Sequence, residues 1–288
     1  MLEDKNLNKS LLRTISIVKR FTPDDPELSV ATIAQKTEIP RTTVHRILAT
    51  LTKGRLLEQN PKTSKYRIGS EFYVLGNLYL NAIDIPKAAE PVIKALNDLT
   101  GEVTNVGILD DNGYITVVLK EESQHILRVG IPVGLAFPAY AHALGKALLS
   151  GLTDAEVDNL YREETLRAFT KKTVATKTQL KRELQQVRET GVAFNLEQAA
   201  DGAEAVASVI RDSSGKAVAA MAIAAPTARM NEAKRKKNAT LVKLGASLAS
   251  YRLGYQDMVN PVRNIEEILA WWEQSQADTV PYLSSGEE

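Results

Sequence analysis

Between Arg41 and Lys53 the apolar residues Val44, Ile47, Leu48 and Leu51 fall at the i, i+3, i+4, i+7 spacing of a single buried helix stripe. Turning that stripe inward leaves Thr42, Arg46, Ala49 and Lys53 on the outer face, with Thr43 and His45 on its flanks. Pro40 suits the first helical position, where its missing N–H has no partner to lose. A shorter apolar-polar segment, SVATIAQKTEI from Ser29, predicts a helix just before it. Leu56 to Asn60 and Lys65 to Gly69 then flank Pro61-Lys62-Thr63-Ser64, a tip of turn-forming residues, and predict a hairpin.

Further along, Phe72, Leu75, Leu78 and Tyr79 give residues 70 to 82 the pattern of a helix with one apolar side. Ile85 to Leu99 reads as an amphipathic helix. Val103 to Leu109 leads through Asp-Asp-Asn-Gly into Tyr114 to Leu119, a β-hairpin signal. Leu180, Leu184 and Val187 form a helix stripe stopped by Gly191, and two strands, Ala205 to Ile210 and Ala217 to Ala224, are joined by Asp212-Ser213-Ser214-Gly215. Asn231 to Leu253 predicts a long closing helix, and Ile265, Ile268, Leu269 and Trp272 a short amphipathic one in the tail. Hairpins mixed with helices predict an α+β fold, an antiparallel sheet covered by helices.

With 288 residues, 44% of them hydrophobic, the chain is long enough for two domains with a core each. There is no cysteine, which excludes disulfides and cysteine-ligated metals. The N-terminus lacks the pattern of a secretory signal, and no apolar run approaches a membrane span; the expectation is a cytoplasmic protein without a membrane partner. The net charge of +1 is unevenly spread: residues 1 to 70 hold 13 Lys and Arg against 7 Asp and Glu, and the remainder is net acidic. Attraction for a polyanion is therefore concentrated in the first quarter.

Helix, helix and basic hairpin in that order make a winged helix-turn-helix, with double-stranded DNA as its partner. Arg41, Thr42, Thr43 and His45 carry donors and acceptors suited to groove edges, and Arg46 to a base or a phosphate. Lys62, Lys65 and Arg67 on the hairpin are expected to add affinity through phosphates.

This stretch, with SLLRTISIVKRF before it, resembles the N-terminal domain of the IclR family of bacterial transcriptional regulators. FPAYAHALGKALLSGL, from Phe137 to Leu152, and the segment from Thr178 to Pro226 resemble that family's second domain, so that the likeness runs from about Ser10 to Tyr255. The chain departs from the family at Glu38, where the turn between the two helices usually has glycine; a positive φ there costs on the order of 1 kcal/mol. The resemblance implies a winged helix-turn-helix over 1–69, a linker helix over 70–83 and a GAF- or profilin-like effector-binding domain over 84–255; the acidic extension over 256–288 falls outside it and is assigned no function. It also implies a homodimer or dimer of dimers on a palindromic operator, with repression the commoner outcome and activation the alternative.

By the same resemblance, effector contacts fall on Phe137, Tyr140, His142, Ala143, Leu144, Asn195, Ala203, Ala205, Ala207, Ala222 and Ala224. The family often has an acid at Asn195, a cysteine at Ala205 and hydroxyls at Ala222 and Ala224. The smaller, less polar set here predicts a roomy apolar cavity with Tyr140, His142 and Asn195 as its hydrogen-bonding groups, suited to a flat apolar effector with one polar end. Arg128 and Lys146 are candidate partners for an anionic effector, and Lys234-Arg235-Lys236-Lys237 is read as a solvated face. No nucleotide-binding loop is present, since Tyr140 and Ala147 replace its glycine and hydroxyl, and no GxSxG or HExxH motif occurs. No cofactor and no metal are expected. Two rivals stay open: a hydrolase using His142 with Ser208 or Tyr140, its DNA-binding domain a tether, and an architectural DNA-binding protein that ignores metabolites.

Overall fold

The computed structural model describes residues 7–22, 24–82, 85–256 and 262–277. The chain divides into two compact units, 1–83 and 84–288.

The first unit contains α1 (Lys9–Val18), α2 (Val30–Thr37), α3 (Arg41–Lys53), the hairpin strands β1 (Leu57–Gln59) and β2 (Tyr66–Ile68), and α4 (Ser70–Ala82). Ser29 caps α2 by accepting from Thr32 N–H, and Glu38 ends that helix at φ 57°, the left-handed conformation that glycine would adopt without strain. Pro40 is the N-cap of α3, with extended ψ, and Arg41 is its first helical residue; the proline lies one position earlier than its sequence pattern predicts. Ile17, Ile33, Val44, Leu48, Leu57 and Tyr66 build one core, against which Ile47 is only partly buried. The strands are shorter than the sequence predicts, because the bonds from Asn60 N–H to Lys65 O and from Ser64 N–H to Asn60 O turn the flanking residues into the tip. On α4 the predicted apolar side is outward: Leu75 and Leu78 are exposed, while the Tyr79 side chain lies outside the described residues.

The second unit follows with α5 (Ile85–Thr100), β3 (Val103–Leu109), β4 (Tyr114–Glu121), β5 (Ala136–Pro138), α6 (Ala143–Leu149), α7 (Asp154–Leu160), α8 (Lys177–Thr190), β6 (Ala193–Leu196), β7 (Ala203–Arg211), β8 (Ala217–Pro226), α9 (Glu232–Arg252) and α10 (Ile265–Ala277). Its six strands form one antiparallel sheet in the order β5-β4-β3-β8-β7-β6. Side chains alternate across a sheet. On one face Met221 meets α5 and α9, where Gly245 lets the helix approach Leu96, Val92 and Met221. On the other face Ala207, Ala220 and Ala222 meet α6, whose outer side is covered by Leu180, Leu184 and Val187 of α8. No helix among the described residues is long and apolar enough to cross a membrane.

Candidate functional site

In the first unit the recognition-type helix is held by its buried stripe, and its outer face is polar. Arg41, Thr42, His45, Arg46 and Lys53 are exposed, and Thr43 is half-buried. The hairpin tip is ordered by Asn60, whose Oδ1 accepts from Lys62 N–H at 3.0 Å and whose Nδ2 donates to Glu27 at 3.1 Å. Among the described residues Arg41, Arg46, Lys53, Lys62 and Lys65 make no ion pair, so their charge is directed outward. Arg67 differs from the reading of its sequence: its guanidinium is held across the hairpin by Glu58 at 2.9 Å. Arg55 is likewise occupied, by Glu71 at 2.7 Å.

In the second unit a cavity of about 570 Å³ opens over the sheet face beside α6. Phe137 and Pro138 of β5, His142, Ala143 and Leu144 at the start of α6, and Asn195 of β6 line it. Ala203 and Ala205 of β7 and Ala222 and Ala224 of β8 give it a floor of methyl groups. Arg128 to Pro132, Phe169 and Ala199 to Asp201 come from loops and close its sides. The cavity is predominantly apolar, as the run of alanines predicts.

Two residues of the predicted set are elsewhere. Tyr140 is buried with its hydroxyl donating to Arg167 O at 2.8 Å and its ring edge-on to Tyr161 at 5.5 Å, so it does not line the cavity. Ala207 lies under α6 in the hydrophobic cluster, where the helix covers the floor. The turn that carries Tyr140, Ala139–Ala141, packs against α6 so closely that Gly145 has no room for a Cβ, which would stand 2.1 Å from Ala139 O.

The polar groups divide by what already satisfies them. Asn195 Oδ1 accepts from Gln198 N–H at 2.7 Å and Ala199 N–H at 3.4 Å, which fixes the loop forming one wall. His142 packs against Phe137 with ring centroids 5.2 Å apart and planes inclined by 57°; burial, reinforced by the Lys146 charge one turn along, pushes its pKa down to about 4, so the ring is neutral at pH 7. Lys146 itself is 2% exposed and turned away from the cavity, donating to Glu183 at 2.8 Å and to Gln198. Burial lowers its pKa and Glu183 opposes the shift. Arg128 is at the rim, 3.3 Å from Glu122. Asn105 on β3 lines the cavity, is 3% exposed, and its Oδ1 has no hydrogen-bond partner. Reasoning from sequence passed over Asn105, although an asparagine inside the apolar strand VTNVGIL is a residue type strands disfavour.

The basic run on α9 is mostly engaged: Arg235 pairs with Glu204 at 2.6 Å, Lys236 with Glu232 at 2.8 Å, and Lys237 lies 3.7 Å from the Trp272 ring centroid. The residues of the hydrolase rival are engaged too. Ser208 Oγ donates to Gly191 O at 2.9 Å and Tyr140 to Arg167 O, and neither lines the cavity with His142.

Two family models match the chain: the IclR helix-turn-helix domain over residues 10–61 and the bacterial transcriptional regulator IclR C-terminal domain over residues 77–251. The chain belongs to the IclR family. Curated relatives of this IclR-family regulator include the HTH-type transcriptional repressor AllR of Salmonella typhimurium, 30% identical over 251 residues, covering 87% of this chain and 92% of that one. The transcriptional repressor IclR of Escherichia coli is 26% identical over 225 residues, covering 78% and 82%. Among solved structures, an IclR homologue from Microbacterium hydrocarbonoxydans complexed with 4-hydroxybenzoate shares the fold, with a TM-score of 0.75 at 18% identity over 85% of this chain and 98% of that one.

Proposed function

We propose that this IclR-family regulator is a repressor of a catabolic operon, released when a small molecule occupies the cavity over the β7–β8 alanines. The observation that carries the reading is the pairing, in one chain, of an outward cationic helix and hairpin with a predominantly apolar cavity over the sheet. Residues 1–69 serve DNA, 70–83 link, 84–255 bind the effector, and 256–288 form an acidic extension. Arg41, Thr42, Thr43, His45 and Arg46 read or position on the major groove, while Lys62 and Lys65 reach phosphates. Arg67 acts through its bond to Glu58, shaping the hairpin. Phe137, His142, Ala143, Leu144, Asn195, Ala203, Ala205, Ala222 and Ala224 contact the effector.

The protein works in the cytoplasm as a homodimer or dimer of dimers on an inverted repeat, with half-sites separated by about 34 Å or a multiple of it. It needs no cofactor and turns nothing over. A coupling of roughly 1–3 kcal/mol between cavity and operator, or 5–150-fold in affinity, makes such a switch. A relative named acetate operon repressor supports control of an operon, and a homologue of the same fold crystallised with 4-hydroxybenzoate supports a flat effector of that size here. The test is fluorescence anisotropy on fragments of the gene's own promoter across a salt series. Lys62→Ala is expected to weaken every sequence alike and to lower the salt slope by about 1, while Thr43→Ala costs roughly 1–3 kcal/mol and relaxes preference at one base pair. Salt-independent retention, or equal loss on all sequences for Thr43→Ala, is the contrary result.

A further inference from the structure

The register of the sheet fixes what faces the cavity. Ala193 pairs with Ala207, Ala207 with Ala222, and Ala222 with Asn105, so these four form one cross-strand row on the face that α6 covers in part. The row is methyl groups as far as Ala222, then passes to the Asn105 carboxamide on β3 and on to Lys120 of β4, whose ammonium is held by Glu122 at 2.7 Å. Asn105 is 3% exposed and its Oδ1 has no partner. A buried polar atom left without a bond destabilises the protein that carries it, whereas an alanine or leucine there would not. The second cavity asparagine, Asn195, has its oxygen committed to two backbone N–H groups.

The charges around the cavity are committed in the same sense. Arg128 faces Glu122, Glu204 faces Arg235, and Lys146 is turned into Glu183 and Gln198. His142 is kept neutral by burial. Asp201 adds an acid without an ion pair. Among the described residues lining this cavity, no cation is uncommitted.

We infer that Asn105 is the specificity-determining residue of the cavity and that it selects an uncharged, flat, apolar ligand bearing one carboxamide- or hydroxyl-type group, which bonds its carboxamide. The inference rests on the reading of the cavity as the effector site and adds the class of effector. Turning the carboxamide about χ2 toward a ligand breaks no bond at Oδ1. The alanine floor takes the ring, and the lack of an uncommitted cation disfavours small carboxylates.

The test uses the full chain and four probes, benzamide, toluene, benzoate and pyruvate, followed by calorimetry and thermal shift. Benzamide is expected to bind at least tenfold more tightly than each of the others. Asn105→Leu is expected to raise the melting temperature of the ligand-free protein and to abolish the preference for benzamide over toluene. Asn105→Ala, which adds no bulk, is expected to abolish the same preference, and it decides the matter if the leucine variant does not fold. Tighter binding of benzoate or pyruvate, a preference for benzamide that survives in Asn105→Ala, or no binding by any probe overturns the assignment. Operator retention by the same ligand-free preparation tells these failures apart from failure of the regulator reading, which loses that retention as well.

Discussion

His142 shows how one side chain records its surroundings. It begins α6 with its ring on Phe137 and Lys146 one turn below, and burial with that charge holds its pKa at about 4 against an ordinary 6.5. As pH falls through 6.5 the unfolded chain takes up a proton that the folded chain refuses until about 4, so stability is full above that window, drains within it and levels off below. The size of the loss is about 3 kcal/mol. His142→Gln is therefore expected to flatten the fall in unfolding free energy between pH 6.5 and pH 4 by about that amount, measured by denaturant titration at each pH. Parallel pH profiles for variant and parent would place the acid sensitivity elsewhere. His142 was legible through the family resemblance. Asn105 was not, because a single asparagine in a strand says nothing of whether a partner awaits it, and only the register opposite Ala222 does.

Elements were legible in proportion to the contrast between their two sides. On α3 and α8 an apolar stripe faces a charged surface, and both helices lie where the period puts them. On α6 all seven residues, Ala143 to Leu149, are buried, so periodicity has nothing to register and only the resemblance marks it. The short strands β5 and β6 and the seven-residue α7, about two turns, fall below the length at which a period can be read. Tyr140, assigned to the cavity by the resemblance, instead donates to Arg167 O, because its direction is set by the turn before α6, which no sequence pattern specifies. The close packing of that turn is testable. A Cβ at Gly145 would meet Ala139 O at 2.1 Å and Ala139 Cα at 2.4 Å, both backbone atoms that cannot rotate aside. Gly145→Ala is expected to cost about 1–3 kcal/mol in unfolding free energy by displacing α6. Because His142, Ala143 and Leu144 move with it, ligand binding weakens along with the unfolding midpoint. A variant of unchanged midpoint would mean that the helix rises without cost.

At the scale of the whole molecule, charge and length foretold more than they specified. The cationic first quarter and the net acidic remainder correspond to two units with separate cores, and the tail beyond the family match adds a helix of its own. That helix, α10, lies against α9 and α5 with Ile268 fully buried, Val262 before it 5% exposed, and Trp272 under the Lys237 ammonium. Burial at this contact lowers the Lys237 pKa. Burying two aliphatic side chains contributes about 1.5–3 kcal/mol each as an upper bound, and the cation–π contact about 0.5–2 kcal/mol more. Ending the chain after Gln256 is thus expected to lower the unfolding free energy of the second unit by a few kcal/mol while leaving it folded, since the strands and helices within the family match keep their own core. Operator affinity is expected to stay within a factor of about 3, because Arg41, Arg46, Lys62 and Lys65 all belong to the other unit and each 1.4 kcal/mol is tenfold. Denaturation followed through the tryptophans is ruled out, since Trp271 and Trp272 leave with the tail; calorimetry measures the first quantity and anisotropy on a promoter fragment the second. A truncated protein that melts as before but loses the operator would assign the tail to DNA binding or to assembly on it, and α10 would then be more than a cover for α9.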